Sequence, residues 1–148
     1  MRRRDFVASV VAGATVAWPL AARAQQASMP VIGYLSGWSS GDAPEYLTYF
    51  RSGLAETGYT EGRNVAFQFR FAEGHFERIP ELVADLVRRQ VSVIAIPNTT
   101  ASAVAAKAAT QTIPIVFSLG SNPVEVGLVQ SLNHPGGNVT GLTALQTA

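Results

Sequence analysis

One stretch, Val91 to Val129, constrains the possible folds more than any other: VSVIAIPNTTASAVAAKAATQTIPIVFSLGSNPVEVGLV. It reads as strand, polar loop and helix, and then as the same three again. Val91–Ile96 is a short apolar run rich in β-branched residues and closed by turn residues, the pattern of a strand buried on both faces. Pro97-Asn98-Thr99-Thr100 breaks that run, and Thr99 or Thr100 suits the N-cap of the alanine-rich helix Ala101–Thr110. Ile113–Leu119 is the second strand. Gly120-Ser121-Asn122-Pro123 is its exit, with Pro123 placed for the first turn of another helix running through Gly127, Leu128, Val129 and Leu132. Two successive strand–helix units imply parallel strands joined by right-handed crossovers. In such sheets ligands sit outside the carboxyl ends of the strands. The loops Pro97–Thr100 and Leu119–Pro123 therefore belong side by side on one edge. Both are polar and uncharged, offering hydroxyls, amides and helix-start N–H groups to an anion. Neither offers an acid, a base or a nucleophile, which favours binding over catalysis.

The rest of the chain extends the same scheme. Val31–Ser36 is a first strand, with a glycine- and serine-rich exit at Gly37–Gly41. Asp42 is a candidate N-cap for a helix over Ala43–Thr57 that Gly58 ends. Leu47, Phe50 and Leu54 mark its apolar face. Ser36, Ser39 and Ser40 stand where the first strand would present groups to a ligand, and Trp38 there reads equally as a stacking platform or as packing. Gly33, Gly37 and Gly41 do not have nucleotide-binding spacing. Asn64–Ala72 alternates, with Val65, Phe67, Phe69 and Phe71 on one face, as an edge strand does. Phe76–Gln90 is the clearest helix, with Ile79, Leu82, Val83, Leu86 and Val87 in a stripe; its charges read as a solvated face. Asn133–Gly137 is a turn, and Asn138–Thr143 begins a fifth strand. Ser118, on the second central strand, joins Ser36, Trp38, Ser39, Asn98, Thr99, Thr100, Ser121 and Asn122 as candidate ligand-binding residues. The fold class is α/β: a parallel sheet of about five strands with helices on both faces.

Composition narrows the function. The 148 residues suffice for one core, and 47% hydrophobic with 14% charged content is that of a globular chain. The formal net charge of +1 is carried by the N-terminus: Arg2, Arg3, Arg4 and Arg23 face one acid there, Asp5. Beyond Ala24 there are seven basic and nine acidic residues, which removes any nucleic-acid footprint. There is no cysteine, and the two histidines, His75 and His134, have no metal-ligand spacing. Glu73 and His75 read as a solvated turn away from the ligand edge. No catalytic motif and no cofactor signature is present.

Met1–Ala24 reads as a cleavable export signal. It has a basic start, an apolar stretch from Phe6 to Ala22 that Gly13 and Pro19 interrupt, and Ala22-Arg23-Ala24 as cleavage site. Arg3-Arg4-Asp5-Phe6-Val7 resembles a twin-arginine motif. The expected location is the bacterial periplasm, with residues 25–148 as the mature part.

Several segments, taken in order, resemble the ABC-transporter substrate-binding proteins of the tryptophan/tyrosine type. They are the leader end WPLAARAQ, VIGYLS, FRSGLAETGYTEGRNV, FAEG, PIVF, NPVEVGLV and NHPGGNVTG. The resemblance implies a periplasmic binding protein with two flavodoxin-like lobes that close on a small-molecule ligand. The ligand implied is an amino acid or related carboxylate, delivered to an ABC permease and its ATPase; monomers are usual. It also implies that the loop after the third strand holds a ligand carboxylate, here at Thr99, Thr100 and Ser102. The family often has Asp before the proline of the next loop, where this chain has Asn122. Members are roughly twice this length, so residues 25–148 correspond to an N-terminal lobe. Two other readings stay open: an exported sensor domain, and an exported flavodoxin-like enzyme whose catalytic residues lie in a missing half.

Overall fold

The strand-forming runs alternate with helical segments along the chain, and that alternation dictates a parallel sheet. The computed structural model describes residues 28–42 and 44–144. The export signal expected at 1–24 lies outside the described residues. The elements are β1 (Val31–Ser36), α1 (Pro44–Glu56), β2 (Ala66–Phe71), a 3-10 turn (Phe76–Arg78), α2 (Ile79–Arg88), β3 (Val93–Ile96), α3 (Thr100–Ala109), β4 (Ile115–Leu119) and β5 (Val139–Thr143). All neighbouring strands are parallel, in the order β2-β1-β3-β4-β5. This is the flavodoxin-like order, in which the winding direction reverses between β1 and β3. The expected fold class is the observed one.

The reversal places α1 on one face and α2 with α3 on the other. On the α2/α3 face, Leu35, Ile94, Ile96, Ile115 and Phe117 meet Ile79, Val83 and Leu86 of α2 and Ala103 and Ala106 of α3 in one core. Alanines on the buried side of α3 let its backbone lie close to the sheet. On the α1 face, Leu47, Phe50 and Leu54 pack over Ile32, Tyr34 and the β2 aromatics Phe67, Phe69 and Phe71. Tyr34 meets Phe50 and Phe69 edge-on, with ring centroids 5.6 and 5.7 Å apart. Those are favourable aromatic geometries. Gly58, at φ +91, turns the chain out of α1 as expected.

Three expectations change, and one feature appears on which the sequence set no expectation. First, no helix follows Pro123: residues 123–127 form hydrogen-bonded turns. The amide of Leu128 donates to the Pro123 carbonyl, and Gly127 at φ +74 takes the chain out of helical conformation after one turn. Leu128 and Val129 are buried, but as a loop tucked into the α2/α3 core. The added feature is that β4 is buried on one face only. Val116 and Ser118 are exposed where Ile115, Phe117 and Leu119 are covered. Second, Pro80 sits in the first turn of α2 and the preceding turn is 3-10, so the regular helix starts at Ile79. Third, the charges of α2 are not all solvated independently. Asp85 accepts from Arg70 of β2 at 2.9 Å and from Arg89 at 2.9 Å, with Arg88 at 3.3 Å. The bonds from Arg70, foremost, and from Arg89 hold its carboxyl down at about 2.

Candidate functional site

Parallel strands end on a common edge, so the residues that follow β1, β2, β3 and β4 gather there. At the point of reversal between β1 and β3, Ser36 and Thr99 are buried and Asn98 is half-buried. The Ser36 hydroxyl donates to Asn98 Oδ1 at 3.3 Å, and the Thr99 hydroxyl donates to the same oxygen at 2.8 Å. Thr99 Oγ1 in turn accepts the Gly37 amide at 2.9 Å, and Ser36 Oγ accepts the Trp38 amide at 3.2 Å. One amide oxygen thus fixes the exits of two strands. Asn98 Nδ2 donates to none of the described residues and remains a free donor at this edge.

Thr99 is the N-cap residue of α3, as expected, with φ −130 and ψ 110. Its hydroxyl is committed to Gly37 and Asn98, however, and no side chain caps the helix. The first N–H groups of α3 are therefore left to another acceptor. Their partial positive charge suits a carboxylate or phosphate. The second loop closes beside them. Thr100 Oγ1 and Ser121 Oγ are 2.8 Å apart, and Thr143 at the end of β5 donates to the Ser121 carbonyl at 2.8 Å. The two loops expected to lie side by side do so.

The remaining candidates divide. Ser39 donates to Asp42 at 2.5 Å. Asn122 orders its own turn, accepting the Val124 amide at 3.0 Å and donating to Glu125 at 3.1 Å. That bond brings a carboxylate to the loop where Asn stands in place of Asp. Ser118 lies on the uncovered face of β4, in an apolar groove of about 370 Å³ lined by Tyr34, Phe50, Leu54, Val93, Val116 and Leu142. Ser102 is 0% exposed, and its hydroxyl has no partner. The structure thus turns the Ser102 side chain inward, and only its main chain belongs to the helix start.

One expectation about this edge is corrected. The turn Glu73–Phe76 follows β2, which is parallel to β1, so it reaches the ligand edge after all. The Gly74 amide donates to the Gly37 carbonyl at 2.9 Å. His75 Nδ1 lies 3.2 Å from Glu77 Oε1, on the exposed outer side of the turn. Phe76, which nothing in the sequence pattern singles out, meets Trp38 edge to face, with centroids 6.0 Å apart at 84°. The signal that would have found it is the parallel pairing of β2. Among the described residues no group of three or more His, Cys, Asp and Glu side chains could hold a metal ion. No described helix is long and apolar enough to cross a membrane.

Residues 41–148 match the family model for the ABC transporter substrate binding protein. The tyrosine-binding protein of Clostridioides difficile (strain R20291) is 39% identical over 92 residues, covering 62% of this chain and 26% of that protein. The ligand-free, open structure of CD0873, a substrate-binding protein with adhesive properties from Clostridium difficile, superposes with a TM-score of 0.73 at 28% identity. That match covers 80% of this chain and 40% of the other. An ABC domain from Streptococcus pneumonia in complex with L-Trp gives 0.70 at 28% identity, covering 78% and 39%. A conserved domain protein from Vibrio cholerae gives 0.72 at 30%, covering 79% and 39%. The chain therefore spans about a quarter of the curated relative and two fifths of the solved structures. With its five-stranded parallel sheet and the family match across most of its length, this chain belongs to the ABC transporter substrate-binding proteins.

Proposed function

We propose that the chain binds an amino acid or closely related carboxylate as the solute-binding component of an ABC import system. It would work in the periplasm, after removal of residues 1–24, and deliver its ligand to an inner-membrane permease. The observation that carries the reading is the uncapped start of α3 at the point of strand reversal. It is framed by the Ser36–Asn98–Thr99 hydrogen bonds and the Thr100–Ser121 pair. The ligand carboxylate would accept from the α3 N–H groups and the Thr100 hydroxyl. Asn98 Nδ2 and the Glu125 carboxylate would meet the polar remainder of the ligand. The names of the relatives, one a tyrosine-binding protein and one solved with L-Trp, support an amino acid. A site on one sheet edge buries less of a ligand than a closed cleft. A Kd on the order of 1 mM is the expectation for the isolated chain.

The test compares L-phenylalanine with L-phenylalaninamide, which lacks the carboxylate charge, by thermal unfolding of the full chain. At about ten times Kd the free acid should stabilise by about 1.4 kcal/mol, the amide should not, and Thr100→Ala should remove most of the effect. Equal stabilisation by acid and amide would contradict carboxylate capture at α3. The transport role predicts permease and ATPase genes beside this one; a histidine kinase gene there would point to sensing.

A further inference from the structure

We propose that two copies of this chain pair face to face through the open half of the sheet, the α1 of each lying in the apolar groove of the other.

Three observations converge on this surface. The first is the groove itself. Beside α1, the strands β3, β4 and β5 leave a trough of about 370 Å³, with Val116 and Leu142 exposed on its floor. None of the residues that line it is Asp, Glu, Lys, Arg or His. Such a surface gains by leaving water and offers no charge to repel a second copy. The second observation is a glycine that the chain's own packing does not explain. Gly53 lies in the interior of α1, where glycine is the poorest helix former short of proline. A Cβ there would meet nothing within 4 Å, so no contact inside the chain requires its absence. The third is the outer surface of α1. None of its residues is buried, and Tyr46 and Tyr49 are 58% and 70% exposed. Tyrosine is a residue that interfaces favour.

The helical repeat brings these features together. Phe50 and Leu54 form the α1 wall of the groove, whereas Arg51 and Ala55 face the opposite flank, towards Tyr59 and Phe67. Tyr46, Phe50 and Gly53 fall at i, i+4 and i+7, so they share the groove side of the helix. Glu45, Tyr49, Ser52 and Glu56 form the row that points away from the sheet. Its charges stand only at the two ends, about 16 Å apart along the axis. A strand the length of β4 spans about 17 Å. Laid along such a groove, the row would keep both glutamates at the rim, in water, and set Tyr49 over the apolar floor.

A two-fold axis parallel to the strands satisfies all three observations. It lays α1 of the partner subunit beside α1, over β3, β4 and β5, and the groove-side rows of the two helices meet. Gly53 then faces Gly53 of the partner subunit, and the absent side chains bring the helix axes to about 8 Å, the short end of helix packing. A second copy suits the groove because ridge and groove lie side by side on one face, so a single contact made twice fills both grooves. The same axis points the carboxyl edges of both sheets one way and leaves them open.

The experiment is sedimentation velocity of the full chain from about 1 to about 300 µM, where a dimer Kd on the order of 10 µM is expected. Emission of 8-anilinonaphthalene-1-sulfonate per chain should fall over the same range, as the grooves are covered. Leu142→Lys, which puts a charge on the groove floor, should weaken the dimer by about tenfold or more. Gly53→Leu should do the same and keep the fold, because leucine is the better helix former. The chain has no cysteine, so Gly53→Cys carries one thiol per copy. Mild oxidation should join two such chains, whose Cα atoms would lie within the disulfide limit of about 7 Å. Thr48→Cys, on the other flank of α1, should stay unjoined. A chain that remains monomeric over the whole range would overturn the pairing and leave the groove to a helix from outside residues 28–144. Dimers that persist in both Leu142→Lys and Gly53→Leu would overturn it as well, by placing the contact elsewhere.

Discussion

Asn98 and Gly37 show how few atoms hold the carboxyl edge of the sheet. Asn98 Oδ1 accepts from both Ser36 and Thr99. Asn98→Ala would leave two hydroxyl donors short of an acceptor and should cost about 1–2 kcal/mol. Gly37 is required for lack of space. Its Cβ would meet Thr99 Cγ2 at 2.7 Å and Thr99 Oγ1 and Phe76 Cε1 at 2.8 Å. Gly37→Ala should cost about 1–3 kcal/mol, whereas Gly120→Ala, with nothing within 4 Å of the added carbon, should be near neutral. Denaturant midpoints of the two variants check this; equal midpoints would remove the steric argument. Ser102 gives the opposite sign. Its hydroxyl is enclosed and unpartnered, so Ser102→Ala should leave stability unchanged or raise it by up to about 1 kcal/mol. Ligand affinity should be untouched, because at the proposed site only the main-chain N–H of Ser102 would face the ligand.

At the scale of elements, the edge strand β2 is tied down by charge. Arg70 joins it to Asp85 of α2, where Arg88 and Arg89 also converge. The Asp85 carboxyl is held down at about 2, through the hydrogen bond from Arg70 first and that from Arg89 second. A depressed folded-state value stabilises above the unfolded-state value, near 4. The contribution is therefore present above about pH 4 and is lost as the pH falls through about 2. Asp85→Asn should unfold earlier than the unmutated chain at neutral pH, and the gap should close on acidification through that window. A gap constant from pH 7 to pH 2 would contradict the ion cluster. β5 depends on a glycine instead: a Cβ at Gly141 would lie against the Phe117 carbonyl oxygen, which is backbone and cannot yield. Gly141→Ala should cost more than Gly37→Ala and loosen β5 first, seen as faster amide exchange at Val139–Thr143.

These elements also show what the sequence could and could not reveal. β1 was legible to the residue, and α3, β3, β4 and β5 to within two residues at their starts, because β-branched runs and turn residues mark them locally. The segment after Pro123 was misread because Pro, Val and Leu suit a helix start, while the decisive feature is the positive φ of Gly127. Phe76 and the Glu73 turn were missed because their place depends on β2 pairing parallel to β1, a long-range fact that alternation within β2 does not encode.

For the whole molecule, the two faces of the sheet are unequally covered. The α2/α3 face is closed, while on the other face α1 lies over β1 and β2 and leaves Val116 44% and Leu142 75% exposed. The full chain should bind the apolar dye 8-anilinonaphthalene-1-sulfonate in its native state. Val116→Lys with Leu142→Lys should abolish most of that signal and change stability by no more than about 0.5 kcal/mol. This groove runs along the sheet face and reaches Pro97 at the polar edge, and the two make opposite claims about where a solute goes. The proposed ligand site is the edge. Its most direct test is a map of backbone amide shifts while an aromatic amino acid such as L-phenylalanine is titrated in. The largest changes should fall at Gly37, Trp38, Thr99, Thr100, Ala101 and Ser121 and saturate together. Changes centred on Val93, Val116 and Leu142, with the start of α3 unmoved, would contradict it.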